Sequence, residues 1–206
     1  MFLETLVVGP LQENCFVVAC EETKNAVVID PGEEAERIYH VITSHGFTLQ
    51  YIMNTHGHID HIGGVADLLR EAEVPFFLHQ DDVYLLEGLE RDPLQTYFQI
   101  TPPPSPTRFL DDGERITVGS LEFQVLHTPG HTPGSVCFLV DQTVFSGDTL
   151  FADSIGRTDL PGGNHAQLLA SVRTKLLTLD DAVRVHPGHG PATTIGHERQ
   201  SNPFLL

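Results

Sequence analysis

Short apolar runs separated by Gly, Pro and Asp punctuate this chain. In segments 2–8, 14–20 and 25–30 the runs are rich in β-branched residues, as in Val17-Val18 and Val27-Val28-Ile29, and they predict three successive strands closed by the turn Asp30-Pro31-Gly32. A helix is expected over 33–45, with acids at its front, and a short strand over 50–54. Apolar positions at Ile62, Val65, Leu68 and Leu69 share one helical side and predict a helix over 61–72. A strand over 75–78 and a helix over 79–88 follow, and then Pro93, Pro102, Pro103, Pro104 and Pro106 mark 89–107 as a loop between halves. The second half restarts with strands near 115–118, 121–127, 135–140 and 143–146, a helix over 164–177 and a strand over 182–186, and the tail from 190 reads mostly as loop. Strand runs with intervening helices in both halves predict two sheets packed face to face with helices outside. Loops from both halves would then meet at one edge.

Composition narrows the class. A chain of 206 residues suits one large domain or two intimately packed halves, and 40% hydrophobic content supports a real core. The formal charge of −17, from 11 basic and 28 acidic residues, argues against nucleic acid and against an anionic membrane surface as partners. Cys15, Cys20 and Cys137 have neither zinc-ribbon nor CxxC spacing and read as small core residues of a reducing compartment. Met1-Phe2-Leu3-Glu4 does not begin a secretory signal and no apolar stretch reaches spanning length, so the expectation is a soluble, cytoplasmic protein.

The candidate chemistry is concentrated in Thr55-His56-Gly57-His58-Ile59-Asp60-His61. Alternate side chains of an extended segment point the same way, so His56 and His58 can reach one metal, Asp60 continues the alternation and His61 starts a new direction. Imidazole with carboxylate suits zinc, iron or manganese, and a site without thiolate is seldom purely structural. Three further candidates each follow a predicted strand: His131 in Thr128-Pro129-Gly130-His131, Asp148 in Ser146-Gly147-Asp148-Thr149, and His189 in Pro187-Gly188-His189-Gly190. Gly147 is expected to let the backbone come close to a metal. Seven residues can complete two sites if one carboxylate bridges, and Asp148 is the choice for that bridge. His127 and His186 share turns with His131 and His189 and stay open as alternatives, while His40, His45, His79, His165 and His197 read as surface residues.

These motifs, spread over nearly the whole chain, resemble the metallo-β-lactamase superfold. Within it the chain looks most like the short bacterial form of glyoxalase II, or hydroxyacylglutathione hydrolase, strengthened by Gly9-Pro10-Leu11-Gln12-Glu13-Asn14-Cys15 and Ser154-Ile155-Gly156-Arg157-Thr158-Asp159. The resemblance implies an α+β fold, an αββα sandwich of two packed sheets with outer helices, as one domain over 1–206. It implies two divalent metal ions, zinc foremost with iron or manganese as alternatives. One would take His56, His58 and His131, the other Asp60, His61 and His189, with Asp148 bridging. The implied activity is hydrolysis of a small acyl thioester, S-lactoylglutathione or a related hydroxyacylglutathione, by a hydroxide between the metals, with Asp60 orienting it and accepting its proton.

A β-lactamase proper carries Cys at the position of Asp148, which argues against that activity. Longer glyoxalase II chains add a C-terminal helical domain whose basic residues hold the glutathione carboxylates, and this sequence runs about seventeen residues past His189. Arg157 is then the substrate-contacting candidate, with a structural pair to Asp159 or Asp153 as its other role. Two alternatives stand beside the hydrolase. One is a persulfide dioxygenase holding a single iron through His56, His131 and Asp148, and the other is a non-catalytic metal-binding protein.

Overall fold

The computed structural model of the protein describes residues 1–89 and 100–206. Its first sheet holds β1 (Phe2–Val8), β2 (Glu13–Ala19), β3 (Asn25–Ile29), β4 (Thr48–Met53), β5 (Phe76–Leu78) and β6 (Arg108–Phe109), paired in that order. β1 to β3 run antiparallel, and β3 to β6 run parallel. The second sheet is built from β7 (Arg115–Val118), β8 (Leu121–His127), β9 (Val136–Val140), β10 (Thr143–Gly147), β13 (Arg184–Pro187) and β14 (Thr193–Thr194), in the order β14-β13-β10-β9-β8-β7. A small hairpin, β11 (Leu150–Phe151) with β12 (Ser154–Ile155), projects beyond β10.

Strand alternation divides the apolar residues into layers. Phe16, Val18, Val27 and Ile29 face inward and meet Phe123, Val125, Phe138 and Phe145 of the second sheet. Val17, Val28 and Ile52 face the other way, onto α1 (Ala35–Ser44) and α3 (Val65–Glu71) through Ile38, Ile42 and Leu68. On the opposite outside, Cys137, Val144 and Val185 pack on α5 (His165–Ser171), a π-helical turn Val172–Leu176 and α6 (Ile195–Ser201) through Leu168, Val172, Leu176 and Ile195. The result is the αββα sandwich. Burial on both faces explains why all seven residues of β2 are buried and why the central strands read as unbroken apolar runs.

The helix expected over 61–72 is broken into α2 (Ile59–Ile62) and α3 at Gly63-Gly64. The break is a close backbone approach. Gly64 N donates to Pro31 O at 2.8 Å, and a Cβ on Gly63 would lie 2.5 Å from Gly32 O. Gly32 is hemmed in reciprocally, since its Cβ would lie 1.9 Å from Asp60 O. The Asp30-Pro31-Gly32 turn is thereby seated against the His-rich loop, and only glycine fits there. The helix expected over 79–88 divides into a 3₁₀ turn, Gln80–Asp82, and α4 (Val83–Gly88). Of the expected loop 89–107, residues 90–99 lie outside the described residues, and 100–107 contain no helix or strand.

The tail corrects the expectation of loop. It forms β14 and α6, which starts at Thr194, whose hydroxyl accepts from His197 N. The helix has no apolar stripe because its anchor is polar. Glu198 is fully buried and accepts from Thr193 Oγ1 at 2.6 Å, Asn202 Nδ2 at 2.7 Å and Asp153 N at 3.0 Å. That network ties α6 to the β11–β12 hairpin. Among the described residues no helix is long and apolar enough to cross a membrane. Removing the Glu198 acceptor strands three donors, so Glu198→Ala is expected to lower unfolding free energy by about 2 kcal/mol in urea denaturation; a change below about 0.5 kcal/mol would show that the network does not hold the tail.

Candidate metal centre

Four strand ends deliver the candidate ligands to one edge of the sandwich. β4 leads into His56, His58, Asp60 and His61, the turn after β8 carries His131, Asp148 follows β10, and His189 follows β13. Two clusters result, His56 with His58 and His131, and Asp60 with His61 and His189, the potential ligand atoms of each lying within 4.8 Å of one another. Asp148 stands between them: Oδ1 is 3.4 Å from His61 Nε2, and Oδ2 is 3.5 Å from His131 Nε2 and 3.9 Å from His189 Nε2. Asp60 Oδ2 is 3.2 Å from His189 Nε2.

Hydrogen bonds behind the rings aim them. Asp30, wholly buried, accepts from Thr55 N at 2.7 Å and from Thr55 Oγ1 at 2.6 Å. The Thr55 hydroxyl hydrogen is thus committed, and its oxygen accepts from His56 Nδ1 at 3.1 Å. His61 Nδ1 faces Asp30 Oδ2 at 3.0 Å, and His131 Nδ1 donates to the Arg157 carbonyl at 2.8 Å. In the neutral rings, each of the three keeps its lone pair on Nε2, pointing into the centre. His58 joins through Nδ1, 2.9 Å from His131 Nε2.

These atoms fit a cation. His56 Nε2, His61 Nε2 and Asp148 Oδ1 are buried without a hydrogen-bond partner, a costly state unless something positive satisfies them. Burial, reinforced by the neighbouring histidines, holds His56 well below the ordinary imidazole range, and burial with His131 lowers His58 to about 4. Both rings are therefore neutral ligands. Burial opposes charge on Asp148, but His61, His131 and His189 outweigh it and keep its carboxyl ionised. At His61 burial opposes a positive charge, yet Asp148, Asp60 and Asp30 favour it strongly. Gly188 makes room for the pair: a Cβ there would lie 2.4 Å from Asp148 Oδ1 and 2.6 Å from His61 Cε1.

His127 and His186 stand apart. His127 stacks on His79 with ring centroids 4.2 Å apart and reaches Pro133 O through Nε2 at 2.9 Å. His186 packs edge-on to Phe16. Gly147 makes a close approach to Thr55, whose Oγ1 would lie 2.3 Å from an added Cβ. Arg157 forms a two-point pair with Asp159, both bonds 2.8 Å, and its guanidinium is well exposed. Asp153 instead meets His197.

Three supporting residues escaped the sequence reading. Asp30 looked like an ordinary turn residue. Asp82 looked like part of a helix, yet its buried carboxylate accepts from Gly57 N at 2.9 Å, Gly134 N at 2.7 Å and Thr132 Oγ1 at 2.7 Å, clamping the His-rich loop to the turn that carries His131. Glu13 is buried 3.7 Å from His61 Nδ1, and burial, with the carboxylates around it, raises its carboxyl well above the usual range. Its neighbour Asn14 pins the His189 loop, donating from N to Gly188 O at 2.7 Å and from Nδ2 to Pro187 O and Gly190 O, each at 2.9 Å.

The chain belongs to the metallo-beta-lactamase superfamily, whose family model matches residues 8–189. It is 39% identical over 209 residues to the hydroxyacylglutathione hydrolase GloC of Haemophilus influenzae, covering 100% of this chain and 98% of that one. Among solved structures it is similar to the BLEG-1 B3 metallo-beta-lactamase, with 39% identity, a TM-score of 0.92 and all of both chains covered. It is also similar to TTHA1623 in a di-iron-bound form, with 44% identity, a TM-score of 0.88 and 98% and 100% coverage. ETHE1 from Myxococcus xanthus matches at 30% identity and a TM-score of 0.84, with 98% and 84% coverage.

Thr55→Val keeps the shape but breaks the link from Asp30 to His56. It is expected to weaken metal affinity about ten- to a hundredfold in chelator competition, with the fold retained by circular dichroism. Unchanged affinity would show that the His56 tautomer does not depend on Thr55.

Proposed function

We propose that the protein is a metal-dependent hydrolase of small acyl thioesters, with S-lactoylglutathione or a related hydroxyacylglutathione as its type of substrate. The observation that carries the reading is the pair of ligand clusters with Asp148 between them. His56, His58 and His131 would hold one divalent ion, Asp60, His61 and His189 a second, and Asp148 would reach both. Bound there, zinc, or iron or manganese on the same ligands, would supply a water of lowered pKa and positive charge beside the substrate carbonyl.

The residues of the chain position and partition the reaction. Water adds its oxygen to the carbonyl carbon and the C–S bond breaks; of its two protons one ends on the departing sulfur and the other passes to solvent, leaving a carboxylate and a thiol. Asp60, with Oδ2 at the mouth beside His189, orients the water and takes up its proton. A thiolate departs readily, so no separate acid is required. Arg157 is the candidate contact for an anionic group on the thiol carrier, its charge already shared with Asp159. The acidic surface goes with a small-molecule substrate rather than nucleic acid or an anionic membrane.

A single-iron dioxygenase would use His56, His131 and Asp148 and leave Asp60, His61 and His189 converging without a task. The likeness to ETHE1 keeps that reading as the comparison. The test is metal stoichiometry, thioester hydrolysis, β-lactam hydrolysis and oxygen uptake on a persulfide, for wild type and His189→Ala. The hydrolase reading expects about two ions per wild-type chain falling towards one in His189→Ala, with thioester hydrolysis down by roughly a hundredfold or more. One iron per wild-type chain, oxygen uptake and no thioesterase activity would replace it with the dioxygenase; β-lactam hydrolysis alone would replace it with a lactamase.

A further inference from the structure

A cleft of about 870 Å³ opens directly over the candidate metal residues, with His58, Asp60, His131, Asp148 and His189 in its floor. Its walls are unlike its floor. Leu11, Leu85, Phe151 and Leu160 line it, and none of the four belongs to the three apolar clusters that hold the sandwich together. Leu11 is the clearest case: it sits in the turn between β1 and β2, 46% exposed. Single exposed apolar residues need no explanation, but one exposed and three half-buried apolar side chains around one cleft beside reactive groups do. Ile59 and Ile155 continue the same surface inward.

Charge points the same way. Among the described residues lining the cleft, Arg157 is the one arginine or lysine, and Asp159 already holds it at both ends of its guanidinium. An exposed pair of this kind can still bend towards a carboxylate, but it offers an anion little net positive charge. A carrier rich in carboxylates, approaching a chain of formal charge −17, meets no second cation on these walls.

We propose that the cleft selects acyl thioesters by an apolar acyl chain of several carbons, with Leu11, Leu85, Phe151 and Leu160 as the residues that determine this preference. The inference rests on the thioesterase reading and deepens it: lactoyl and related hydroxyacyl thioesters are cleaved, and an unbranched alkyl chain of several carbons is cleaved faster. The acyl carbonyl lies at the floor, and the chain runs outward along the leucines, excluding water from the reacting end as it binds. Burial of each methylene contributes up to about fourfold in binding.

The experiment compares acetyl, butanoyl, hexanoyl and lactoyl thioesters of one neutral carrier, N-acetylcysteamine, on the metal-loaded protein. The expected result is a kcat/KM that rises from acetyl to hexanoyl by at least tenfold, with lactoyl below butanoyl. Leu85→Asn and Leu160→Asn, both at partly exposed positions, should each cut the hexanoyl-to-acetyl ratio by about fivefold or more, with melting temperature as the check on folding. Calorimetry of the products gives a readout without turnover, in which hexanoate should bind at least tenfold more tightly than acetate. Cleavage of all four thioesters with no rise along the series, or with lactoyl preferred, would overturn the apolar selection and leave the thioesterase standing. Cleavage of none would remove the thioesterase and this inference with it. Unchanged ratios in both leucine variants would overturn the assignment of the selecting residues.

Discussion

The Asp30 carboxylate lies wholly buried at the end of β3 and accepts from Asn54 Nδ2, Thr55 N, Thr55 Oγ1 and His61 Nδ1. Two of those bonds hold the backbone and side chain that begin the His-rich loop, one sets the ring of His61 directly, and one sets His56 through the Thr55 hydroxyl. A single acceptor thus connects the first sheet to both candidate metal positions. Its placement depends on backbone contacts that side chains would prevent, namely Gly32 against Asp60 and Gly63 against Gly32. Asp30 itself adopts a left-handed conformation, φ 51°, which Asp tolerates better than most residues.

The centre that this support creates gathers carboxylates away from water. Asp60 and Asp148 are largely removed from water, Asp30 and Glu13 stand behind them, and among the described residues none of the four pairs with Lys or Arg. Imidazoles alone face them: burial pushes His56 and His58 towards neutrality, while the carboxylates favour positive charge on His61 and His189. Removing carboxylates from water costs several kcal/mol unless opposite charge is close by. Divalent ions would supply that charge, and the partnerless His56 Nε2 offers them an atom that no ion pair of the centre uses. The clamps from Asp82 and Asn14 then appear in a consistent role, keeping the loops after β4, β8 and β13 in register around the buried carboxylates.

Much of this was legible in the sequence because it is written in short-range patterns. β-branched runs mark the central strands, and buried strands give the same signal whichever sheet they join. The His-rich loop announces its chemistry by composition, and the Pro-Gly and Ser-Gly-Asp turns mark the other strand ends. What was missed depends on distance. No local pattern distinguishes Asp82 from any acid at the start of a helix, or Glu13 from any acid beside a turn, until the fold brings Gly57, Gly134 and His61 to them. The C-terminal helix was missed because its anchor, Glu198, is a buried polar group, which hydrophobic periodicity cannot register. The choice of His131 over His127 and of His189 over His186 turned on which side of a tight turn faces the edge, and only the register of β8 and β13 shows that.

The account stands on the claim that two cations complete this edge. The direct measurement is scanning calorimetry of protein stripped of metal, titrated with zinc. Ions that bind only the folded chain stabilise it by mass action, so saturating both positions should raise the unfolding midpoint by about 10 °C or more, in two increments that end at two equivalents. A midpoint that does not move, or that stops rising at one equivalent, would contradict the account.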